Sequence, residues 1–251
     1  MDKPQRVALL VTCLVDQIMP EVGLAAVRVL QRAGLAVDFP TAQTCCGQPF
    51  FNSGFRRQAA DLAKRTVEIF EPYEYVVAPS GSCVAMIRSE YPHLLAEWPD
   101  WQRRAQRLAS HTYELSEFLV QIMEWPQPSD GPDSAETAAT GTAVSYHDSC
   151  HMLRLLGLYG EPRRALSASG CSLREMDVSD RCCGFGGLFS LRLPEVANAM
   201  TAEKLDQAAR AGAPTLVSAD PGCLMQMRGM LPDDSPVILK HLAVVLEEQT
   251  R

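Results

Sequence analysis

The pattern that most constrains this chain is carried by its nine cysteines. Cys13, Cys45 and Cys46 recur 137 positions later as Cys150, Cys182 and Cys183, and Cys83 recurs 140 positions later as Cys223. Eight cysteines therefore make two copies of one arrangement, C-x31-CC-x36-C and C-x31-CC-x39-C. Chance placement does not reproduce three identical offsets, so the chain is an internal duplication. The flanks agree. Thr44-Cys45-Cys46-Gly47 matches Arg181-Cys182-Cys183-Gly184, the run Val76 to Cys83 matches Leu216 to Cys223, and Arg88 pairs with Arg228.

Between the copies, Pro126-Gln127-Pro128-Ser129-Asp130-Gly131-Pro132-Asp133 opens a polar stretch that continues to Thr142 without apolar periodicity, which reads as a linker. The expected organisation is a first cysteine-rich domain over 1–125, a linker over 126–142 and a second cysteine-rich domain over 143–251. With 47% hydrophobic and 21% charged residues, the chain has the composition of a soluble globular protein, which excludes disorder as its main state. A net charge of −7 argues against nucleic acid as the partner. No run reaches the ~18 apolar residues of a membrane span. Val7–Val11 is too short for a signal-peptide core and no small-residue cleavage site follows it, so a cytoplasmic protein without a transmembrane segment is expected. In that reducing compartment, nine cysteines point to metal ligands or redox groups rather than to disulfides.

Each copy reads as alternating strand and helix, an α/β class with parallel, Rossmann-like sheets. In the first copy, strands are expected at Val7–Val11, Ala36–Phe39 and Tyr75–Ala78, with amphipathic helices over Val22–Leu35 and Arg56–Phe70. The second copy repeats this with Ala143–His147, Pro162–Ser169, Ser172–Met176, Pro194–Arg210 and Thr215–Ser218. Strand–helix–strand units give parallel strands, and ligands of such sheets sit beyond the carboxyl ends of the strands. Every cysteine group of the pattern follows directly after an expected strand. The four thiols of a copy should therefore converge, in two domains related by a pseudo-twofold axis whose cysteine loops face a shared cleft.

Three chemistries use four converging thiols. An iron–sulfur cluster takes four thiolates as its usual donor set, and tetrahedral zinc also accepts them. A dithiol–disulfide pair at Cys45-Cys46 or Cys182-Cys183 would be strained and labile. Adjacent cysteines aim their side chains apart, which suits a multi-iron cluster better than one small ion. Cys171 stands outside the pattern and reads as a small buried hydrophobe.

These residues resemble a known family. C-x31-CC-Gly-x-Pro followed by Gly-Ser-Cys, then Cys-His, Cys-Cys-Gly-Phe-Gly-Gly and Pro-Gly-Cys, are similar to the duplicated cysteine-rich CCG domain found in heterodisulfide reductase and in the glycolate oxidase iron–sulfur subunit. Two CCG copies and nothing else resemble the lactate-utilization branch of that family. The resemblance implies a non-flavin iron–sulfur subunit, of [4Fe-4S] type with one or two clusters, in a system oxidising L-lactate to pyruvate. It implies companion subunits as well, a ferredoxin-type iron–sulfur protein and a third protein. It carries the ligand role to Cys13, Cys45, Cys46 and Cys83 and to Cys150, Cys182, Cys183 and Cys223, and it implies no catalytic side chain of the chain's own. A disulfide reductase, or a subunit acting on another 2-hydroxy acid such as glycolate, is the alternative. One departure stands out. The reductase motif ends in C-x-x-C, whereas the last position here holds Met86 in the first copy and Gln226 in the second.

Other residues carry weaker signals. His147 and His151 flank Cys150, where an imidazole either replaces a thiolate or hydrogen-bonds around the site. Asp16 and Asp148 read as helix-start residues. Gly184-Phe185-Gly186-Gly187 lacks the spacing of a dinucleotide loop, and without such a fingerprint hydride chemistry requires a cofactor held elsewhere. Arg88 and Arg228 are either carboxylate ligands or helix-surface charges. Trp98 and Trp101 with Arg103, Arg104 and Arg107 are either a partner surface or packing. Val237–Leu246 reads as an amphipathic helix covering a sheet.

Overall fold

The apolar runs that follow Arg6 and Thr142 form the central strands of two sheets. In a computed structural model that describes residues 3–125 and 141–250, the first sheet contains β1 (Arg6–Leu9), β2 (Ala36–Asp38), β3 (Val76–Ala78) and β4 (Thr112–Glu114), in the order β2-β1-β3-β4 and all parallel. The second contains β5 (Thr142–Tyr146), β6 (Cys171–Leu173), β7 (Thr215–Ser218) and β8 (Ile238–His241), in the order β6-β5-β7-β8, again all parallel. Even the register repeats. Ala8 faces Val76 in the first sheet and Ser145 faces Leu216 in the second, positions related by the same offsets as the cysteines. The expected linker lies outside the described residues from 126 to 140.

Helices cover both faces, which is why the inner strands read as continuous apolar runs. Val76, Val77 and Ala78 are fully buried. The helix Arg56–Phe70 has the bounds its periodicity predicts and turns Ala59, Ala60, Ala63, Val67 and Phe70 inward at helical spacing. The helix expected over Val22–Leu35 runs from Pro20 to Arg32, because a proline at the first position suits a helix start.

The C-terminal expectation is corrected. Val237–Leu246 is not one helix: Ile238–His241 forms strand β8 against β7, and only Leu242–Gln249 is helical. A short apolar run has no period that distinguishes strand from helix, and pairing with β7 decides it here. Its counterpart β4, at Thr112–Glu114, has no sequence signal for the same reason.

The two halves interlock reciprocally. The last helix of the second half, Leu242–Gln249, lies on the first crossover helix of the first half, Pro20–Arg32. Correspondingly, the segment Leu115–Ile122 of the first half lies on Gly160–Ala168 of the second. One continuous buried cluster joins Val29 and Leu30 to Leu242 and Leu246, and Phe118 and Leu119 to Ala165 and Leu166. Polar bonds stitch the same contacts: Arg32 donates to the Glu247 carbonyl at 2.8 Å, and Gln121 donates to Glu161 at 2.8 Å.

Candidate metal centre

The cysteines are placed by the sheet edge, as the topology requires. β1 runs into the helix Cys13–Ile18, capped by Thr12, and β3 runs into the helix Gly81–Ala85 that carries Cys83. Cys150 opens the turn continued by His151–Leu156, and Cys223 sits in the first turn of Pro221–Arg228, capped by Asp220. Each lone cysteine therefore lies in the first turn of a helical segment that begins just beyond the carboxyl end of a strand.

The adjacent pairs sit on loops after β2 and β6, and their glycines fix how the loops meet the following helices. Gly47 and Gly184 have φ of 85° and 91°. A Cβ on Gly184 would stand 2.3 Å from the Ala197 carbonyl oxygen, so only glycine lets the loop lie against the helix Pro194–Arg210. The carbonyl after each turn is also held. Tyr91 donates its hydroxyl to the Cys46 carbonyl at 2.7 Å, and Thr201 donates to the Cys183 carbonyl at 2.7 Å.

Within the first quartet the Cys13 thiol donates to Cys45 at 3.7 Å and the Cys46 thiol donates to Cys83 at 3.3 Å. The backbone N–H groups of Gly47 and Gly184 donate to Cys45 and Cys182, each at 3.4 Å. Donation from Cys13 and Cys46 brings Cys45 down to about 3, and donation from Cys150 and Cys183 brings Cys182 down to about 2. The donating thiols Cys13 and Cys150 are pushed up in turn. Within each quartet the neighbouring thiols and a backbone N–H thus favour charge on one sulfur, that of Cys45 or Cys182. One cleft of about 590 Å³ is lined by Cys13, Cys46 and Cys83 from one half and by Cys150, Cys182, Cys183 and Cys223 from the other, Cys45 lying behind Cys13. The ninth cysteine, Cys171, is buried on β6 away from that cleft.

This is the arrangement of a cysteine-rich domain present twice, and the model of that description, CCG, matches residues 7–88 and 144–228. The chain belongs to the CCG family. Its curated CCG relatives include lactate utilization protein A of Bacillus subtilis, 43% identical over 97% of this chain and 100% of the relative. The protein of the same name from Halalkalibacterium halodurans is 44% identical over 98% of both chains, and that of Geobacillus kaustophilus is 43% identical over 96% and 98%.

Other residues around the CCG loops take definite roles. Arg88 forms an ion pair with Glu117 at 2.7 Å, so it is committed to holding the helix that follows β4 rather than free for a carboxylate ligand; Arg228 is exposed. Asp148 does not start a helix. It is buried and takes both terminal nitrogens of Arg163 at 2.8 Å, whereas Asp16 does lie in the first turn of its helix. Trp98 is exposed and Trp101 half-buried, with Lys64 lying 3.6 Å from the Trp98 ring centre and Arg104 lying 4.0 Å from that of Trp101. Arg103 and Arg104 pair with Asp100 and Glu71.

His151 stands with Nδ1 3.6 Å from the Cys150 sulfur and Nε2 3.2 Å from the Gln48 amide nitrogen, which fits a ring donating to sulfur and accepting from Gln48. His147 is fully buried, and neither ring nitrogen has a hydrogen-bond partner among the described residues. Burial, aided by Lys204, brings it down to about 4, so the ring is neutral. A ring nitrogen of His147 and the sulfurs of Cys183 and Cys223 all lie within 4.8 Å of one another.

Two residues at the site escape a reading of the sequence. Asp220 is buried between the halves and accepts from the backbone N–H of Ser82 at 2.9 Å, the Ser82 hydroxyl at 3.2 Å and the Gly222 N–H at 3.1 Å. Lys204 is fully buried and donates to the carbonyls of Val178 and Ser179, at 2.8 and 3.2 Å, bracing the loop before Cys182. Asp220 stands where the first half has Ser80, but other positions of the paired segment differ too, so nothing in the sequence singles it out.

Among the described residues, no helix is long and apolar enough to cross a membrane.

Proposed function

We propose that this chain is an iron–sulfur electron-transfer subunit of a system that oxidises L-lactate to pyruvate. One cluster would be held by Cys13, Cys45, Cys46 and Cys83, and another by Cys150, Cys182, Cys183 and Cys223. The observation that carries the reading is the convergence on one cleft of Cys13, Cys46 and Cys83 from one half and of Cys150, Cys182, Cys183 and Cys223 from the other, with Cys45 hydrogen-bonded to Cys13. Four cysteine sulfurs are the usual donor set for such a cluster, and the orphaned ring of His147 beside the second quartet is what a site completed by a metal leaves behind. The lactate assignment rests on the name of relatives that are similar over nearly the whole chain. A cytoplasmic location, companion subunits and the domain limits 1–125 and 143–251 belong to the same proposal.

Once bound, a cluster supplies reversible one-electron transfer. The chain's own residues do the rest. The Gly47 and Gly184 N–H groups donate to cysteine sulfur and so offset negative charge there, one of the levers that set a reduction potential. Tyr91 and Thr201 fix the carbonyls of Cys46 and Cys183, so the adjacent sulfurs keep one orientation. Asp220 locks the Cys83 and Cys223 helices together across the halves, holding the two quartets at a constant separation.

Anaerobic purification followed by iron, sulfide and zinc analysis, with EPR spectra before and after dithionite, tests this. Roughly four or eight irons with matching sulfide, and signals that change on reduction, are expected. Stoichiometric zinc without iron would overturn the electron-transfer reading and leave a zinc-held scaffold.

A further inference from the structure

The two cysteine sites share a backbone but not a lining. Shifting by the 137-residue offset places Leu10 where the second half has His147, and Leu14 where it has His151. Leu10 is buried in the core of the first half, as a leucine should be. His147 occupies the equivalent place at the end of β5, anchored through its backbone N–H to the Val217 carbonyl at 2.8 Å. Its side chain is no less buried than leucine, yet neither ring nitrogen has a hydrogen bond of ordinary geometry among the described residues, the Ser179 backbone exerting only a weak pull. A buried polar ring with no partner is uncommon and calls for an explanation.

Geometry supplies one. Three donor atoms, from His147, Cys183 and Cys223, fall within 4.8 Å of one another, and all three residues are buried. The first half has no such group, since leucine offers no donor. His151, by contrast, has both nitrogens occupied, by the Cys150 sulfur and by Gln48. Lys204 does not compete for the His147 ring, because its ammonium is spent on the Val178 and Ser179 carbonyls.

We propose that His147 is a nitrogen ligand of the metal centre at the second site, so that the duplicated chain holds two unequal centres, one ligated by thiolates alone and one by thiolates and an imidazole. This rests on the iron–sulfur reading above. The second site keeps the same four cysteines as the first, so imidazole there adds a neutral donor without adding ligand charge. Ligand identity is one of the levers that set a centre's reduction potential. A pair of unequal centres across one cleft gives electron flow a direction that two identical centres would lack.

The test is pulsed EPR on anaerobically purified, dithionite-reduced protein grown with histidine carrying nitrogen-15 in its ring. A strong, directly bonded nitrogen coupling is expected in the unaltered protein. It should vanish in His147→Leu, which installs the first site's residue, and persist in His151→Ala. Should His147→Leu fail to accumulate, persistence of the coupling in His151→Ala still assigns it, because His93, His111 and His241 are not part of the donor group. Reduced clusters with no ring-nitrogen coupling, or a coupling lost in His151→Ala, would overturn the ligand while leaving the iron–sulfur reading intact. Absence of any paramagnetic iron centre would overturn that reading, and the ligand with it.

Discussion

Gly81, at the start of the helix that carries Cys83, lies tight against Met152 of the other half, and replacing it with alanine tests whether that approach holds the molecule together. A Cβ at Gly81 would stand 2.1 Å from Cγ, 2.9 Å from Sδ and 3.4 Å from Cβ of Met152 in the other half. Ordinary carbon–carbon contact begins near 3.5 Å, so one side must retreat by about 1.4 Å. Met152 has nowhere to go, being 1% exposed, and Gly81 is tied by its N–H to the Ala219 carbonyl at 3.3 Å. Overpacking of this kind costs about 2–3 kcal/mol, which lowers the melting midpoint of a chain this size by roughly 4–12 °C. The assay is thermal unfolding of metal-loaded protein under anaerobic conditions at one scan rate. Gly81→Ala, Met152→Ala and the double variant complete a cycle. Met152→Ala alone leaves a cavity and costs about 2–5 kcal/mol. In the double variant the added methyl enters that space, so the coupling energy should be at least about 1 kcal/mol. Simple addition of the two single effects would refute the argument, because it would mean that Gly81 and Met152 do not compete for the same space.

Four further outcomes follow from the same geometry. Cys45→Ser should lose metal from the first site and Cys182→Ser from the second, each leaving the other largely filled; equal loss from both in either variant, read by metal analysis, would contradict independent quartets. Asp220→Ala removes a helix cap and strands a buried N–H of the opposite half, and a loss of about 2–4 kcal/mol in denaturant unfolding is expected, with Asp220→Asn milder. Arg88→Ala strands the buried carboxylate of Glu117 and should cost about 2–3 kcal/mol, less than a fully buried pair because the arginine is partly exposed; the added change Glu117→Gln should recover part of the loss. Glu114 is fully buried and raised by that burial from 4.5 to about 7. Folding therefore keeps a proton that the unfolded chain sheds, and stability conferred below pH 4.5 falls as the pH rises toward 7, by up to about 3 kcal/mol. Glu114→Gln should flatten that slope, and an unchanged pH profile of unfolding would exclude Glu114 as its source.

Much of the fold is legible because the cysteines repeat. The duplication tells where one half ends in kind, and strand runs such as Thr215–Ser218 and the helix Arg56–Phe70 have their predicted bounds, since each carries a clear period and a flanking turn. β4 and β8 are not legible. They are three and four residues long, and the helices after them are capped by different residues, Glu114 and His241, so neither period nor motif links the two copies there. At the site, convergence of the thiols follows from topology, but the bond between Asp220 and Ser82 does not, because a contact across 138 positions leaves no local signature. The roles of Arg88 and Asp148 escape the sequence for the same reason. Each is decided by a partner, Glu117 or Arg163, that only the tertiary structure supplies.

The reciprocal covering of the crossover helices has a consequence for the order in which this molecule is made. The apolar stripe of Pro20–Arg32 is made more than two hundred residues before its cover, Leu242–Gln249. Until that cover is synthesised, the flank of the first crossover helix stays bare to water, so the packing of the first half waits on a segment of the second.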